Sequence, residues 1–143
     1  MLVAAAAWLG WQELWAHGGD RALAWRDLTE RTLAEPPRSA LSVLRSRDEL
    51  RRALAEGGRS ATLPQIDFSQ REAILVAAGP RSSGAYELEV VAVTEERRRI
   101  VVAVRERTPS LARPGAARLT FPFRLITIER RDKAVALDWR GRP

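Results

Sequence analysis

Several residue types are scarce in this 143-residue chain, and each scarcity excludes a class of site. There is no cysteine, so disulfide bonds and thiolate metal centres are excluded. The single histidine, His17, excludes multi-histidine metal sites and a pair of catalytic histidines. It lies beside two glycines and outside any core pattern, which predicts a solvated side chain. We therefore expect neither a metal nor another cofactor.

Lysine is also scarce, because Lys133 is the only one among 24 basic residues. The net charge of +6 is therefore carried by arginine, and a basic surface favours acidic proteins, anionic lipid or nucleic acid as partners. Proteins that bind nucleic acid often place aromatic residues, which stack on bases, among their basic residues. In this sequence the aromatic residues are mostly not placed among the arginines. We predict that nucleic acid is not the partner, and keep an arginine-rich face that binds nucleic acid or an anionic surface as an alternative.

Common catalytic motifs are missing as well. No Gly-rich loop precedes a helix, and the segment GPRSSG lies between two predicted strands, which is the wrong context for a phosphate-binding loop. No Gly-x-Ser-x-Gly sequence is present. Asp67 has no recognisable base or nucleophile as a partner, and we expect it to cap a turn. The sequence thus predicts a protein that is not an enzyme.

The chain has no apolar run long enough to span a bilayer. Its first eleven residues, MLVAAAAWLGW, are uncharged and apolar, whereas a spanning helix needs about 20. Residues 1–16 fit a truncated export signal, a helix at the membrane interface, or an apolar helix packed on the domain. The first two predict an exported or cell-envelope protein, with membrane association through this segment, and the third a cytoplasmic one. We divide the chain into this apolar segment, residues 1–24, and a single β-rich domain, residues 25–143.

The domain shows the alternation typical of strands, with one helix among them. Ser46, with Glu49 three residues later, predicts a capped helix start, and Gly57-Gly58 a helix end, so the main helix is expected at about 46–56. The run AILVAAG is typical of a strand buried on both faces. We predict an α+β fold: a mostly antiparallel β-sheet of five to seven short strands, sandwich or barrel-like, with this helix and an apolar N-terminal helix.

A short corner, GPRSSGAY, is the first candidate binding site. Pro80 stiffens its entry, Gly84 is predicted to adopt a backbone conformation that other residues resist, and the Tyr86 ring is predicted to pack under the corner. A preorganised loop loses little entropy on binding, so we predict that the corner contacts a protein. The candidate residues are Gly79, Pro80, Arg81, Ser82, Ser83, Gly84 and Tyr86. A turn that binds nothing is the alternative.

The loop TPSLARPGAAR, residues 108–118, is the second candidate, because loops of this length in compact domains are often functional. Its candidate residues are Pro109, Arg113, Pro114 and Gly115. Between the two candidates the sequence predicts a β-hairpin. The hairpin tip carries Arg97, Arg98 and Arg99, which we expect to be solvated.

Taken in order, these motifs resemble the C-terminal domain of PrcB-type proteins, bacterial subunits of a protease complex. The resemblance spans about residues 38–131 of the printed sequence. The positions that carry it are Asp67-Phe68, Gly79, Gly84, Tyr86, Pro109 and Pro122-Phe123. The chain departs from the family at Ala85, where a second glycine is usual, and in the long loop, which lacks the family's cysteine.

The resemblance implies a non-catalytic accessory or protein-binding domain that modulates a protease in the cell envelope. Members of the family are commonly exported or lipid-anchored, although this chain has no cysteine to carry a lipid. The corner is also similar to the Pro-Thr-Thr-Gly-Tyr loop of chagasin-like inhibitors of cysteine proteases. Protease inhibition is therefore a further alternative.

Overall fold

A computed structural model describes residues 19–32, 40–55, 62–112 and 114–140. The predicted N-terminal helix, the helix end at Gly57-Gly58 and the candidate residue Arg113 lie outside the described residues. No described helix is both long and apolar enough to cross a membrane.

The described residues contain ten strands, one α-helix and one turn of 3-10 helix at Thr29–Arg31. The α-helix, α1, spans Arg47–Ala55. The strands are β1 (Arg21–Ala22), β2 (Trp25–Asp27), β3 (Ala40–Leu44), β4 (Arg71–Ala77), β5 (Arg81–Ser83), β6 (Glu87–Glu95), β7 (Arg99–Arg107), β8 (Ala117–Thr120), β9 (Phe123–Glu129) and β10 (Ala134–Arg140).

The strands form two four-stranded sheets and one two-stranded sheet. The first sheet has the order β1-β6-β7-β10, and the second has the order β2-β9-β4-β3. The third consists of β5 and β8. All pairs are antiparallel except β7 with β10, which is parallel. The prediction of a mostly antiparallel β-rich fold with one main helix is confirmed, but among the described strands no sheet closes into a barrel.

The predicted number of five to seven strands was too low. β1, β2, β5 and β8 are only two to four residues long. Segments this short carry too little alternation to be recognised in the sequence. They form because tertiary structure places them against a partner, as Trp25 lies opposite Ile128 of β9.

Strand β4 is buried on both faces, as the run AILVAAG predicted. One face packs on the β6–β7 sheet, and the other packs on α1 and on the turn around Phe68. The β4 and β9 residues that face the β6–β7 sheet are Ile74, Val76, Ile126 and Ile128. Those that face α1 are Ala73, Leu75 and Leu125. This apolar burial fixes β4 and β9, the two strands that lead into the candidate site.

Two predicted capping interactions are present. The Ser46 hydroxyl accepts the N–H of Glu49 at 3.1 Å, while the Glu49 carboxylate accepts the N–H of Arg45 at 2.7 Å, one residue before the position expected for a capping box. Asp67 accepts the N–H of Ser69 at 3.0 Å and its hydroxyl at 2.5 Å. These hydrogen bonds, the hydroxyl's first, lower the pKa of Asp67, whose side chain caps the turn as expected.

Candidate protein-contact surface

The corner and the long loop, predicted as separate sites, form one unit in the structure. β5 of the corner pairs with β8 at the end of the long loop, with Arg81 opposite Thr120 and Ser83 opposite Ala117. Beyond this pair, the N–H of Gly84 donates to the carbonyl of Ala116 at 3.0 Å. We call residues 79–86, 108–112 and 114–120 the corner ribbon.

The corner ribbon continues the β4–β9 pair past the end of its sheet. Ala77 lies opposite Phe123, and the N–H of Ala78 then donates to the carbonyl of Pro122 at 3.0 Å. The regular ladder stops there, because Gly79 has a φ of 82° and Pro122 has no N–H to donate. Two core strands therefore leave the sheet together, and the ribbon has a rigid base.

The glycine of the corner with a left-handed backbone is Gly79, so the prediction that assigned this role to Gly84 was wrong. Positive φ values occur at Gly79 and at Gly115 of the long loop, but not at Gly84. Gly84 is small for a different reason: a Cβ built there would lie 3.0 Å from Nε of Arg118. The lack of a side chain at Gly84 makes room for a guanidinium group.

Gly115 marks the closest approach of the long loop to the corner. A Cβ built there would lie 2.4 Å from Cβ of Ala85 and 2.6 Å from Oγ of Ser83. The Ser83 hydroxyl donates to the carbonyl of Pro114 at 3.3 Å and accepts the N–H of Ala85 at 3.1 Å. The Thr120 hydroxyl in turn donates to the carbonyl of Ser83 at 2.8 Å. Ser83 is buried and holds the two halves of the ribbon together, so it is not itself available to a partner.

Arg81 ties the corner ribbon to the end of β7. Its Nε and Nη2 donate to the two carboxylate oxygens of Glu106 at 2.8 and 3.3 Å. The side chains of Arg81 and Glu106 are 20% and 9% exposed, so solvent screens this pair weakly. The Arg81 guanidinium also lies 5.9 Å from the centre of the Tyr86 ring, within the range of a cation–π contact. The Tyr86 ring therefore packs against the corner, although β6 begins one residue later, at Glu87.

The corner ribbon carries exposed apolar and basic side chains. Leu111 is fully exposed and Leu119 is 67% exposed, and the only other exposed large apolar residue described is Leu41 of β3. Ser82 and Arg118 of the ribbon are also exposed. A partner that covers these leucines would remove apolar surface from water, which favours binding.

An open cleft of about 650 Å³ separates the corner ribbon from the end of the β6–β7 hairpin. Its lining residues are Gly84, Ala85, Glu87, Glu106, Arg107, Thr108 and Gly115. Arg107 lies 3.4 Å from a carboxylate oxygen of Glu89 and 3.9 Å from one of Glu87. The cleft is thus lined by backbone groups and by charged side chains that form ion pairs. The exposed leucines Leu111 and Leu119 are not among its lining residues.

The remaining candidate residues are placed as follows. Pro109 is half-buried and Pro114 is exposed, and Pro114 contributes its carbonyl to the ribbon. Within the described ranges, no three His, Cys, Asp or Glu side chains are grouped closely enough to hold a metal ion.

Sequence reasoning missed three residues that shape this surface. Leu119 is exposed, although Leu125, which follows it at an alternating position, is buried. Pro122 ends the alternation between β8 and β9, and it was the signal for this break. Glu106 and Arg118 had no sequence signal, because their partners lie far away along the chain.

The opposite end of the hairpin is the predicted solvated tip. β6 and β7 pair as expected, and Arg97 and Arg98 at the turn between them are exposed. Arg99 is paired with Glu96 at 2.6 Å. This tip is separated from the corner ribbon by the length of the hairpin, since Glu106 at the far end of β7 contacts Arg81.

Comparison with known protein families gives a match that contains the corner ribbon. Residues 73–129 match the family described as PrcB C-terminal, from the third residue of β4 to the end of β9, and this range includes the entire corner ribbon. No curated protein and no solved structure matches the chain significantly. The predicted resemblance to this family is confirmed over the matched residues.

Proposed function

We propose, from the PrcB C-terminal domain at residues 73–129, that this chain is a non-catalytic accessory protein that binds a protease of the cell envelope. The observation that carries the proposal is the joining of the two candidate loops into one corner ribbon. Such a surface is suited to binding a protein.

The corner ribbon is preorganised. It is held by the β5–β8 pair, by the buried hydroxyl of Ser83 and by the Arg81–Glu106 pair. Side chains and backbone that are already ordered lose less entropy when a partner binds. The surface therefore retains more of the free energy gained by covering its exposed leucines.

The composition of the ribbon also suits a protein partner. Interfaces between proteins combine apolar anchors with arginine, as Leu111, Leu119 and Arg118 do here. Nucleic-acid binding has less support, because arginines near this surface are engaged by the chain's own carboxylates. Arg81 is paired with Glu106 and Arg107 with Glu89, which leaves fewer guanidinium groups for phosphates.

The substitution Ser82→Arg tests the proposal. Ser82 is exposed on β5, so a long side chain there should leave the melting temperature unchanged and block a partner that lies on the ribbon. The matched control is Gln70→Arg, which adds the same side chain at an exposed position just before β4. The corner ribbon follows the opposite end of β4, so this arginine lies away from it.

The assay is capture from cell-envelope extract by the immobilised full chain, with the retained protein identified by mass spectrometry and tested for proteolytic activity. We expect the wild type and Gln70→Arg to retain the same protease and Ser82→Arg to lose it. Capture that persists in folded Ser82→Arg would refute the ribbon as the contact surface. Retention that falls steeply with salt and is lost after nuclease treatment would support the nucleic-acid alternative.

A further inference from the structure

Arg118 is the arginine of the corner ribbon that is paired with no carboxylate among the described residues. Arg81, on the other strand of the ribbon, is paired with Glu106, and Arg107 at the cleft lies near Glu87 and Glu89. Among the described residues, no carboxylate oxygen lies within 4.0 Å of the Arg118 guanidinium. Its charge is therefore available to an incoming group.

The Arg118 guanidinium lies close to the Gly84 backbone. A Cβ built at Gly84 would lie 3.0 Å from Nε, 3.3 Å from Nη2 and 3.5 Å from Cζ of Arg118. Several atoms of the planar group thus lie near the Gly84 backbone. The planar fork of N–H donors can form two parallel hydrogen bonds to a carboxylate.

β8, the strand that carries Arg118, presents a free edge. Within the described part of the chain, β8 pairs only with β5, so one row of its backbone N–H and C=O groups is available for pairing. β8 has no proline or lysine to discourage pairing, and its residues Ala117 to Leu119 are exposed. Arg118 and Leu119 are consecutive, so their side chains lie on opposite faces of the strand.

We infer that the free edge of β8 binds an extended segment of the partner protein that carries an acidic residue directly beside an apolar one. Residues opposite each other on paired strands lie on the same face. The acidic side chain then meets Arg118 on one face, and its apolar neighbour covers Leu119 on the other. The inference rests on the proposed function and specifies the chemistry of the segment that the corner ribbon recognises.

The probe is a library of random peptides displayed on phage and selected on the immobilised full chain. We expect the selected peptides to contain Asp or Glu next to Leu, Ile, Val or Phe. A synthetic copy should bind about tenfold more weakly when its acid is replaced by the matching amide, as the loss of a bidentate charged pair predicts. Arg118→Lys should cause a similar loss, and the two changes together should cost little more than either alone.

Two further variants separate recognition from folding. Leu119→Ser should weaken binding with an unchanged melting temperature, because Leu119 is exposed. Arg98→Lys, the same exchange at the solvated hairpin tip, should leave binding unchanged. On binding, the amide of Leu119 or of Arg118 should become protected from hydrogen exchange, which a contact made by side chains alone would not produce.

The inference is overturned if no peptide is enriched, if the enriched peptides lack the acidic residue, or if they bind Arg118→Lys as tightly as the wild type. In the last case, peptides that still lose binding to Ser82→Arg would leave the ribbon as a contact surface and remove only the role of Arg118. Envelope-protein capture that survives Ser82→Arg would instead refute the proposed function itself.

Discussion

Replacing Gly115 by alanine should release the long loop from the corner while the two large sheets stay folded. Gly115 has a φ of 64°, where a residue with a Cβ is disfavoured by about 1–2 kcal/mol. The added Cβ would also lie 2.4 Å from Cβ of Ala85 and 2.7 Å from the Ala85 backbone nitrogen. Neither atom can be moved by rotating a side chain, so the overlap must be relieved by backbone displacement.

The size of the effect follows from what holds the loop. Overpacking of this kind typically costs about 1–3 kcal/mol, so strain and overlap together reach roughly 2–5 kcal/mol. Three hydrogen bonds oppose the release: Gly84 to Ala116, Ser83 to Pro114, and Thr120 to Ser83. At about 0.5–1.5 kcal/mol each, they contribute roughly 1.5–4.5 kcal/mol. The two sums are comparable, so local opening of the ribbon relieves the strain before the core is affected.

Native-state hydrogen exchange measures this opening directly. In Gly115→Ala the amide of Gly84 should exchange about tenfold faster or more, whereas the amide of Val102 in the core should exchange as in the wild type. Gly19→Ala is the control, because Gly19 has a φ of 100° but no atom within 4 Å of a built Cβ. That variant should leave Gly84 protected. If the Gly84 amide keeps its protection in Gly115→Ala, the close approach does not hold the ribbon and the reasoning fails.

Three further predictions concern the rest of the fold. Glu72→Gln should lower the unfolding free energy by about 2 kcal/mol in urea denaturation, because Glu72 is fully buried and pairs at 2.9 Å with Arg45, which is partly exposed; an unchanged midpoint would show that the pair contributes nothing. A hydrogen bond from the Lys133 side chain lowers the pKa of Glu95. The stability that ionised Glu95 contributes is therefore present above its unfolded-state pKa and is lost as the pH falls through its lower folded-state pKa. Glu95→Gln should therefore lose less stability on acidification than the wild type, and equal losses would contradict this. Replacing both Arg97 and Arg98 by serine should change stability by less than about 1 kcal/mol in thermal denaturation, and a larger change would show that the tip is not simply solvated.

The parts of the fold that follow from local patterns could be predicted from the sequence. The apolar run of β4 and the alternating β6–β7 hairpin were recognised because each pattern lies within a few consecutive residues. The helix start at Ser46 and the turn at Asp67 were recognised because a short polar side chain bonds the backbone nearby. The parallel pairing of β10 with β7 was not recognised from the sequence, because pairing between distant strands depends on how the two sheets pack.

The candidate site was predicted in its residues but not in its assembly. Glycine and proline content singled out both loops, yet their pairing joins Ser83 to Ala117, far apart in the sequence. Which glycine adopts a positive φ depends on where the β4–β9 ladder ends, and this placed it at Gly79 and not at Gly84. The exposure of Leu119 also depends on where the β4–β9 ladder ends.

Photo-crosslinking from the corner ribbon tests the central claim most directly. Leu111 is fully exposed, so p-benzoylphenylalanine placed there should leave the fold intact, and the same group placed at Arg98 provides the comparison at the hairpin tip. In cell-envelope extract we predict a single protease adduct from position 111, lost when Ser82→Arg is added, and no adduct from position 98. An adduct from position 98 with none from position 111 would contradict the account, because it would place the partner on the opposite end of the hairpin.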